Sequence, residues 1–338
     1  MARDARVTLA HGSGGRKTQE LIETLFARYL GNPILAQMND AALLDPAEVG
    51  RLAFSIDGHV VSPLFFPGGS IGDIAVNGTV NDLAMMGARP LWLAASFILE
   101  EGLLLRDLER VVQDMARAAE NAGVQLVAGD TKVVERGKAD GLYISVAGVG
   151  LVPPHIHVDA RNAQPGDVVL ISGPIARHGM TIMTLREGLD FESDLRSDTA
   201  PLNHLVARLL EAVPNTHAMR DATRGGLATT LNELARASHV AILVEEEAIP
   251  VDPAAANACA LLGIDPLYVA NEGVFVALVP REEGERALAA LRVHPLGKDA
   301  RIIGRVETAP AGRVILRTSL GAERILPPLT GDLLPRIC

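Results

Sequence analysis

Four aspartates in the first half of the sequence stand beside apolar runs: Asp40 in "MNDAALL", Asp57 in "FSIDG", Asp82 in "TVNDLA" and Asp130 in "VAGDTK". Carboxylates that end apolar segments can converge above one edge of a sheet, where hard oxygen donors hold a cation such as Mg²⁺. Each of them taken alone also fits a cap or a turn, above all beside glycine. Upstream, "HGSGGRK" at 11–17 spaces Gly12, Gly14 and Gly15 so that successive backbone N–H groups could cradle an anion ahead of a helix start. It lacks the GxxxxGK[ST] spacing of a Walker loop, and a flexible turn fits the same residues. Together with the aspartates it suggests a nucleotide whose phosphates are bridged by Mg²⁺, with Lys17 and Lys132 adding positive charge. A second Gly-rich turn, "RDATRGG" at 220–226, offers Arg220, Asp221 and Arg224 before a helix, although an ordinary loop and cap reads the same way. Glu272 in "VANEGVF" interrupts a strand pattern, as an exposed edge side chain or a group aimed into a cleft, and the pattern alone favours the exposed edge.

The remaining candidate is a thiol. The chain has two cysteines, and Cys338 is the last residue of "LLPRIC". Cys259, in the apolar "NACALLG", reads as a buried and inert thiol. Cys338 instead sits on a tether from Pro327 that contains three prolines and is expected to be mobile. It reads as an accident of sequence, a metal ligand, a surface disulfide or a reactive thiol carried into a pocket. A metal site would need distant ligands, because the tail holds no other Cys or His. Residues 328–338 span about 35 Å when extended, enough to explore a cleft.

Positioning these groups requires elements that the hydrophobic periodicity supplies. Leu21, Ile22, Leu25, Phe26 and Leu30 recur at helical spacing after the Gly-rich start. "RLAFSIDG" predicts a strand ending near Asp57, followed by a helix through Ile74, Val80, Leu83 and Met86 that stops near Gly87. "PLWLAASFIL", "VQLVAGDT" and "GLYISVAGVGLV" predict strands, and residues 105–122 a helix with Leu105, Leu108, Val111, Val112, Met115, Ala118, Ala119 and Ala122 on one face. A seam at "NAQPGD" precedes "VVLISG", helices near 201–213 and 226–237, and the strands "AILVEE" and "GVFVALVP". The expected architecture is layered α/β or α+β, divided into a Gly-rich segment and helix at 1–35, a nucleotide-binding domain at 36–160, an α/β domain at 161–326 and a tail at 327–338.

Composition narrows the classes. With 48% hydrophobic residues over 338, the chain can bury substantial cores, and its length favours two of them. A formal charge of -10 and only 3% aromatic residues argue against a nucleic-acid partner. Two cysteines and no long apolar run point to a reducing, cytoplasmic protein with no signal peptide and no membrane span.

Taken as a set, these motifs resemble the HypE family of hydrogenase maturation proteins. That family lies within the larger aminoimidazole ribonucleotide synthetase-like group, with thiamine-monophosphate kinase and selenophosphate synthetase. The resemblance runs through "HGSGGRKT", "FSIDGHVVSPLFFPGGSIGDIAVNGTVNDLAMMGARP", "VAGDTKVVERG", "RDATRGGLATTLNE", "VANEGV" and "PRIC". It implies a two-domain fold with a mobile tail, a homodimer built on the N-terminal domains, and ATP with Mg²⁺. It also implies a carbamoyltransferase partner that modifies Cys338, ATP-dependent dehydration of the carbamoyl group to a thiocyanate, and transfer of cyanide to iron on a scaffold complex. By the same resemblance Asp40, Asp57, Asp82 and Asp130 surround metal and phosphates, His11 and Lys17 lie near the phosphate segment, and Lys132 and Glu272 serve the proton steps. Two other readings stand beside it. An ATP-using relative acting on a small molecule would be indifferent to Cys338, and a nucleotide-ordered scaffold would bind without turnover.

Overall fold

The computed structural model describes residues 6–11, 20–34, 49–188, 194–330 and 336–337. The N-terminal helical pattern forms a π-helical turn, Ile22–Phe26, that passes into an α-helical turn, Ala27–Leu30, with Leu21, Leu25 and Phe26 buried.

In the first domain the predicted strands pair into one sheet. Its elements in chain order are β1 (Arg51–His59), the short β2 (Phe65–Phe66) and β3 (Gly69–Ser70), helix α1 (Ile71–Met85), β4 (Arg89–Glu100), helix α2 (Leu105–Ala122), β5 (Gln125–Val134) and β6 (Leu142–Val152). The sheet order is β1-β6-β4-β5; β4 and β5 run parallel and the other pairs antiparallel. The parallel pair requires a crossover, which α2 provides. Every residue predicted for the apolar face of α2 is buried, and Gly123 ends the helix in the left-handed conformation at φ 70°.

Helix α1 carries Asp82 and is buried on almost every side. A capping box fixes its start: Asp73 Oδ2 accepts from the Ser70 amide at 2.8 Å, and the Gly72 amide donates to Ser70 Oγ at 3.2 Å. Arg117 of α2 then bridges Asp73 at 3.0 Å and Asp114 at 2.7 Å. The two helices cross closely because Gly72 has no side chain; a Cβ there would stand 2.3 Å from the Val111 carbonyl oxygen. Gly72→Ala is therefore expected to destabilise the chain by about 1–3 kcal/mol despite alanine's better helix propensity. A thermal melt at least as high as that of the unaltered chain would contradict this.

The second domain comprises β7 (Val168–Ile171), α3 (Arg177–Arg186), α4 (Asn203–Ala212), β8 (Ala218–Asp221), α5 (Gly226–Ala237), β9 (Ala241–Glu245), α6 (Pro253–Leu262), β10 (Phe275–Val279), α7 (Gly284–Arg292), β11 (Arg301–Glu307), β12 (Arg313–Arg317) and β13 (Glu323–Ile325). Its sheet order is β13-β12-β9-β11-β7-β10-β8, with only β12 and β9 parallel. The end of α1, at Leu83 and Met85, shares a hydrophobic cluster with Leu202, Leu205 and Leu209 around α4, so the helix that carries Asp82 is anchored in both domains. Among the described residues no helix is long and apolar enough to cross a membrane.

Candidate active site

Alternation along β1 sends Ser55, Asp57 and His59 toward α1, and Leu52, Phe54 and Ile56 to the opposite, open face. Ser55 Oγ donates to Asp82 Oδ2 at 2.7 Å, which joins strand and helix at their acidic residues. His59 lies 3.7 Å from Asp57, its ring buried against Gly78, where a Cβ would stand 3.1 Å from His59 Cε1. Burial holds the His59 pKa below its usual value even though Asp57 pulls it upward.

Asn81, next to Asp82, brings the second domain alongside. Its Oδ1 accepts from the Leu202 amide at 2.7 Å, and its Nδ2 donates to the carbonyl oxygens of Ala200 at 3.1 Å and Glu272 at 3.4 Å. The expectation that Glu272 is an exposed edge residue is overturned: it is 4% exposed. The strand begins only at Phe275, and Asp198 captures the segment before it by accepting from the amides of Glu272 at 3.2 Å and Gly273 at 3.0 Å. Gly273 makes this approach feasible, since a Cβ would lie 1.9 Å from the Asp198 carbonyl oxygen.

Asp57, Asp82, Asp221 and Glu272 thus form one acidic neighbourhood. Burial, then Asp198, Asp221, Asp57 and Asp82, push the Glu272 pKa well above its ordinary value. Burial, with Asp82 beside it, pushes Asp221 up to about 7. Asp82 is raised by burial, against the hydrogen bond from Ser55. A crowd of hard oxygen donors that repel one another's ionisation is chemically suited to a divalent cation. No three His, Cys, Asp or Glu side chains among the described residues form a ready cage. Mg²⁺ does not require one, because it keeps waters and phosphate oxygens and takes only one or two carboxylates.

A cavity of about 580 Å³ opens beside this neighbourhood, lined by Asp82, Arg220, Asp221, Arg224, Thr229 and Leu329 among others. Its volume is within the range of small-molecule sites. Arg220 also pairs with Glu233 at 2.6 Å. The cavity therefore joins the "RDATRGG" turn to Asp82.

Two other predicted residues go elsewhere. Asp130 and Lys132 pair with each other at 2.8 Å, and both are exposed. The register that runs Gly58, Ser145, Ser96, Asp130 across the sheet puts Asp130 on the open face, with Phe54 and Ile56 and opposite to Asp57. Lys132 is thus partnered by Asp130 rather than by Glu272. His11 bonds through Nδ1 with Thr8, whose amide donates to it at 3.0 Å. Gly12, Gly14, Gly15, Lys17, Asp40 and Cys338 lie outside the described residues. Cys259 is buried as expected, and burial pushes its thiol up to about 11.

The tail meets the fold at Arg336 and Ile337. Ile337 is 3% exposed and packs into the main hydrophobic cluster. Its carbonyl oxygen lies 2.5 Å from His178 Nε2 in α3. His178 and Asp198 had no signal in the local sequence. Asp221, inside a motif already marked by its glycines, was open to detection.

Asp221 carries a pH consequence. Between the ordinary carboxylate range and about 7, the folded chain holds a proton there that the unfolded chain has released, so stability falls as pH rises through that window. Asp221→Asn is expected to melt higher than the unaltered chain at pH 8, without nucleotide or metal, and to lose that advantage at pH 5. Equal gains at both pH values would contradict the assignment.

Comparisons with known proteins add the chemistry's context. The model of the AIR synthase related protein N-terminal domain matches residues 38–152, and that of the C-terminal domain matches 164–317. The carbamoyl dehydratase HypE of Azotobacter vinelandii is 54% identical over 336 residues, covering 99% of this chain and 98% of that protein. The chain belongs to the HypE family. A solved structure of the hydrogenase maturation protein HypE in complex with ATP aligns with a TM-score of 0.94 at 49% identity, over 98% of this chain and 99% of that one. In a solved HypE–HypF complex, the matching chain aligns with a TM-score of 0.81 at 46% identity, over 91% of this chain and 99% of that one. The two-domain AIR synthase-like fold expected from the motifs is the HypE fold.

Proposed function

We propose that this chain dehydrates an S-carbamoyl group on its own Cys338 to a thiocyanate, at the expense of ATP. Membership of the HypE family makes it an ATP-using enzyme of hydrogenase maturation; the action on its own tail is our reading. The observation that carries it is the seat of Arg336 and Ile337 in the fold, one residue short of Cys338 and joined through His178 and Asp198 to the buried Glu272.

An amide oxygen is a poor leaving group. In the proposed reaction the carbamoyl oxygen attacks the γ-phosphorus, forming an O–P bond as the bond to ADP breaks. The C–O bond then cleaves with phosphate as leaving group, the nitrogen loses both protons, one to the base and one to the departing phosphate, and the carbon–nitrogen triple bond forms. ADP and phosphate are released. Glu272 takes a proton from nitrogen, and a carboxylate with a raised pKa is a stronger base than a solvated one. Lys132, on the opposite sheet face, would polarise or relay from a second copy. Mg²⁺, when bound, offsets charge on the phosphate oxygens. Asp57 and Asp82, with Asp221 and Asp40, would hold it; Asp130, on the opposite face of its own sheet, would join such a set only from a second copy. Arg220 and Arg224 face the nucleotide from the cavity wall, with His11, Gly12, Gly14, Gly15 and Lys17 on the phosphate side.

The partners follow the same reading. A HypF-like carbamoyltransferase supplies the carbamoyl group, in keeping with the solved HypE–HypF complex, and an iron-bearing scaffold receives cyanide. A second copy covers the open sheet face, where Phe54 is 70% exposed and Leu52, Ile56 and Ile98 add apolar surface. That packing would enclose the Asp130–Lys132 pair. Phe54→Asp is expected to convert a dimer to a monomer in light scattering; an unaltered chain that is already monomeric would contradict the interface. The function itself is tested by phosphate release. Carbamoylated protein should release about one phosphate per chain on addition of Mg²⁺-ATP, and unmodified protein none. Equal release from both would contradict it.

A further inference from the structure

Arg336 and Ile337 are seated through main-chain hydrogen bonds as well as through their side chains, with Ile337 in the hydrophobic cluster. The Arg336 carbonyl accepts from the Ser62 amide at 3.2 Å and from the guanidinium of Arg186, whose Nε donates to the Ser62 carbonyl at 2.5 Å. The Arg336 side chain pairs with Asp140 in the loop between β5 and β6. Its backbone has φ 53°, the left-handed region that a non-glycine residue holds only where its surroundings enforce it. The seat is thus shared between Ser62 and Asp140 of the first domain and Arg186 and His178 of the second.

His178 makes the contact nearest Cys338, and that contact places a proton on its Nε2. A carbonyl oxygen can only accept, so Nε2 carries a proton and donates to Ile337. Ser197 Oγ accepts from the Thr199 amide at 3.1 Å and lies in hydrogen-bond contact with His178 Nδ1 at 2.8 Å. Complete burial holds the His178 pKa below its ordinary value and favours the neutral ring with its proton on Nε2. Ser197 is followed directly by Asp198, whose carboxylate holds the amides of Glu272 and Gly273. One short segment, 197–198, braces the ring that seats the tail and also the backbone of the buried carboxylate.

We propose that His178 is a positioning residue for the dehydration: by donating to the carbonyl that closes the peptide bond to Cys338, it sets the tail in register with Glu272. The unit His178–Ser197–Asp198 aligns tail and base together. This deepens the proposed function and rests on it. The ring reads a backbone carbonyl and no side chain, so any side chain able to donate from the same place can replace it in part.

Two measurements on the full chain separate this inference from the reaction on which it rests. The first is the rate of alkylation of unmodified Cys338 by iodoacetamide, with buried Cys259 as the internal control; it needs no catalysis. His178→Ala is expected to raise that rate by about tenfold as the seat loses its buried donor, and Asp140→Asn, at an exposed residue, to raise it in the same direction. Rates equal to the unaltered chain in both variants would overturn the seat. The second is single-turnover water loss from carbamoylated protein. His178→Ala should slow it by about 100-fold, the scale of a misplaced reacting group, with half-saturating ATP unchanged. His178→Gln, which can donate from a similar place, should recover most of the loss. Equally slow Ala and Gln variants with a higher ATP requirement would show a merely structural residue and overturn the proposal. Absence of water loss in the unaltered chain would instead remove the proposed function, leaving the alkylation result to decide the seat.

Discussion

Cys338→Ala is expected to abolish carbamoyl incorporation and reduce ATP turnover to background. The chain has only one other cysteine. Cys259 is buried in α6, and its thiol is pushed up to about 11, so at neutral pH it offers essentially no thiolate to a carbamoyl donor. With Cys338 removed, the carbamoyl group has no nucleophile of the same kind to replace it. A kinase or synthetase acting on a free small molecule would show the opposite, with ATP turnover unaffected by the substitution. The measurement is incorporation of labelled carbamoyl donor, run beside phosphate release. Label that remains on the alanine variant would sink the assignment of the tail.

Glu272→Gln is expected to slow water loss by about 10²- to 10⁴-fold, the usual contribution of a positioned general base. Glutamine keeps the shape and leaves the backbone bonds to Asp198 and Asn81 in place, so nucleotide binding should survive. Glu272 gathers the repulsion of Asp198, Asp221, Asp57 and Asp82 on top of burial. Its folded pKa is raised, so ionising it costs stability as pH rises, and glutamine removes that cost. The variant should therefore melt at least as high as the unaltered chain at alkaline pH while turning over far more slowly. The rate of the unaltered chain should climb with pH as Glu272 ionises, and this limb should flatten in the variant. A variant rate within threefold of the unaltered one would remove Glu272 as the base.

The fold was legible where a pattern is local. The α2 face, the strand that carries Asp57 and the buried Cys259 each follow from spacing within a few residues, and the structure bears them out. The site was legible in part. Asp57 and Asp82 announce themselves at the ends of apolar runs, and Ser55 joins them. That Asp130 leaves the sheet on the opposite face is a matter of register across β1, β6, β4 and β5, which no single strand encodes. Glu272 was misread because its burial depends on Asp198, a residue far away in sequence, and on the missing side chain at Gly273. His178 stayed invisible for the same reason: it acts on a carbonyl 159 residues away.

The most direct test of the central claim is intact and C-terminal-peptide mass spectrometry on protein carbamoylated by a HypF-like transferase, before and after Mg²⁺-ATP. The account predicts that the peptide ending in Cys338 gains a carbamoyl group and then loses the mass of one water only when ATP is present. Verified carbamoylation with no such loss, in protein that binds ATP, would contradict dehydratase activity and leave a nucleotide-binding carrier of the carbamoyl group.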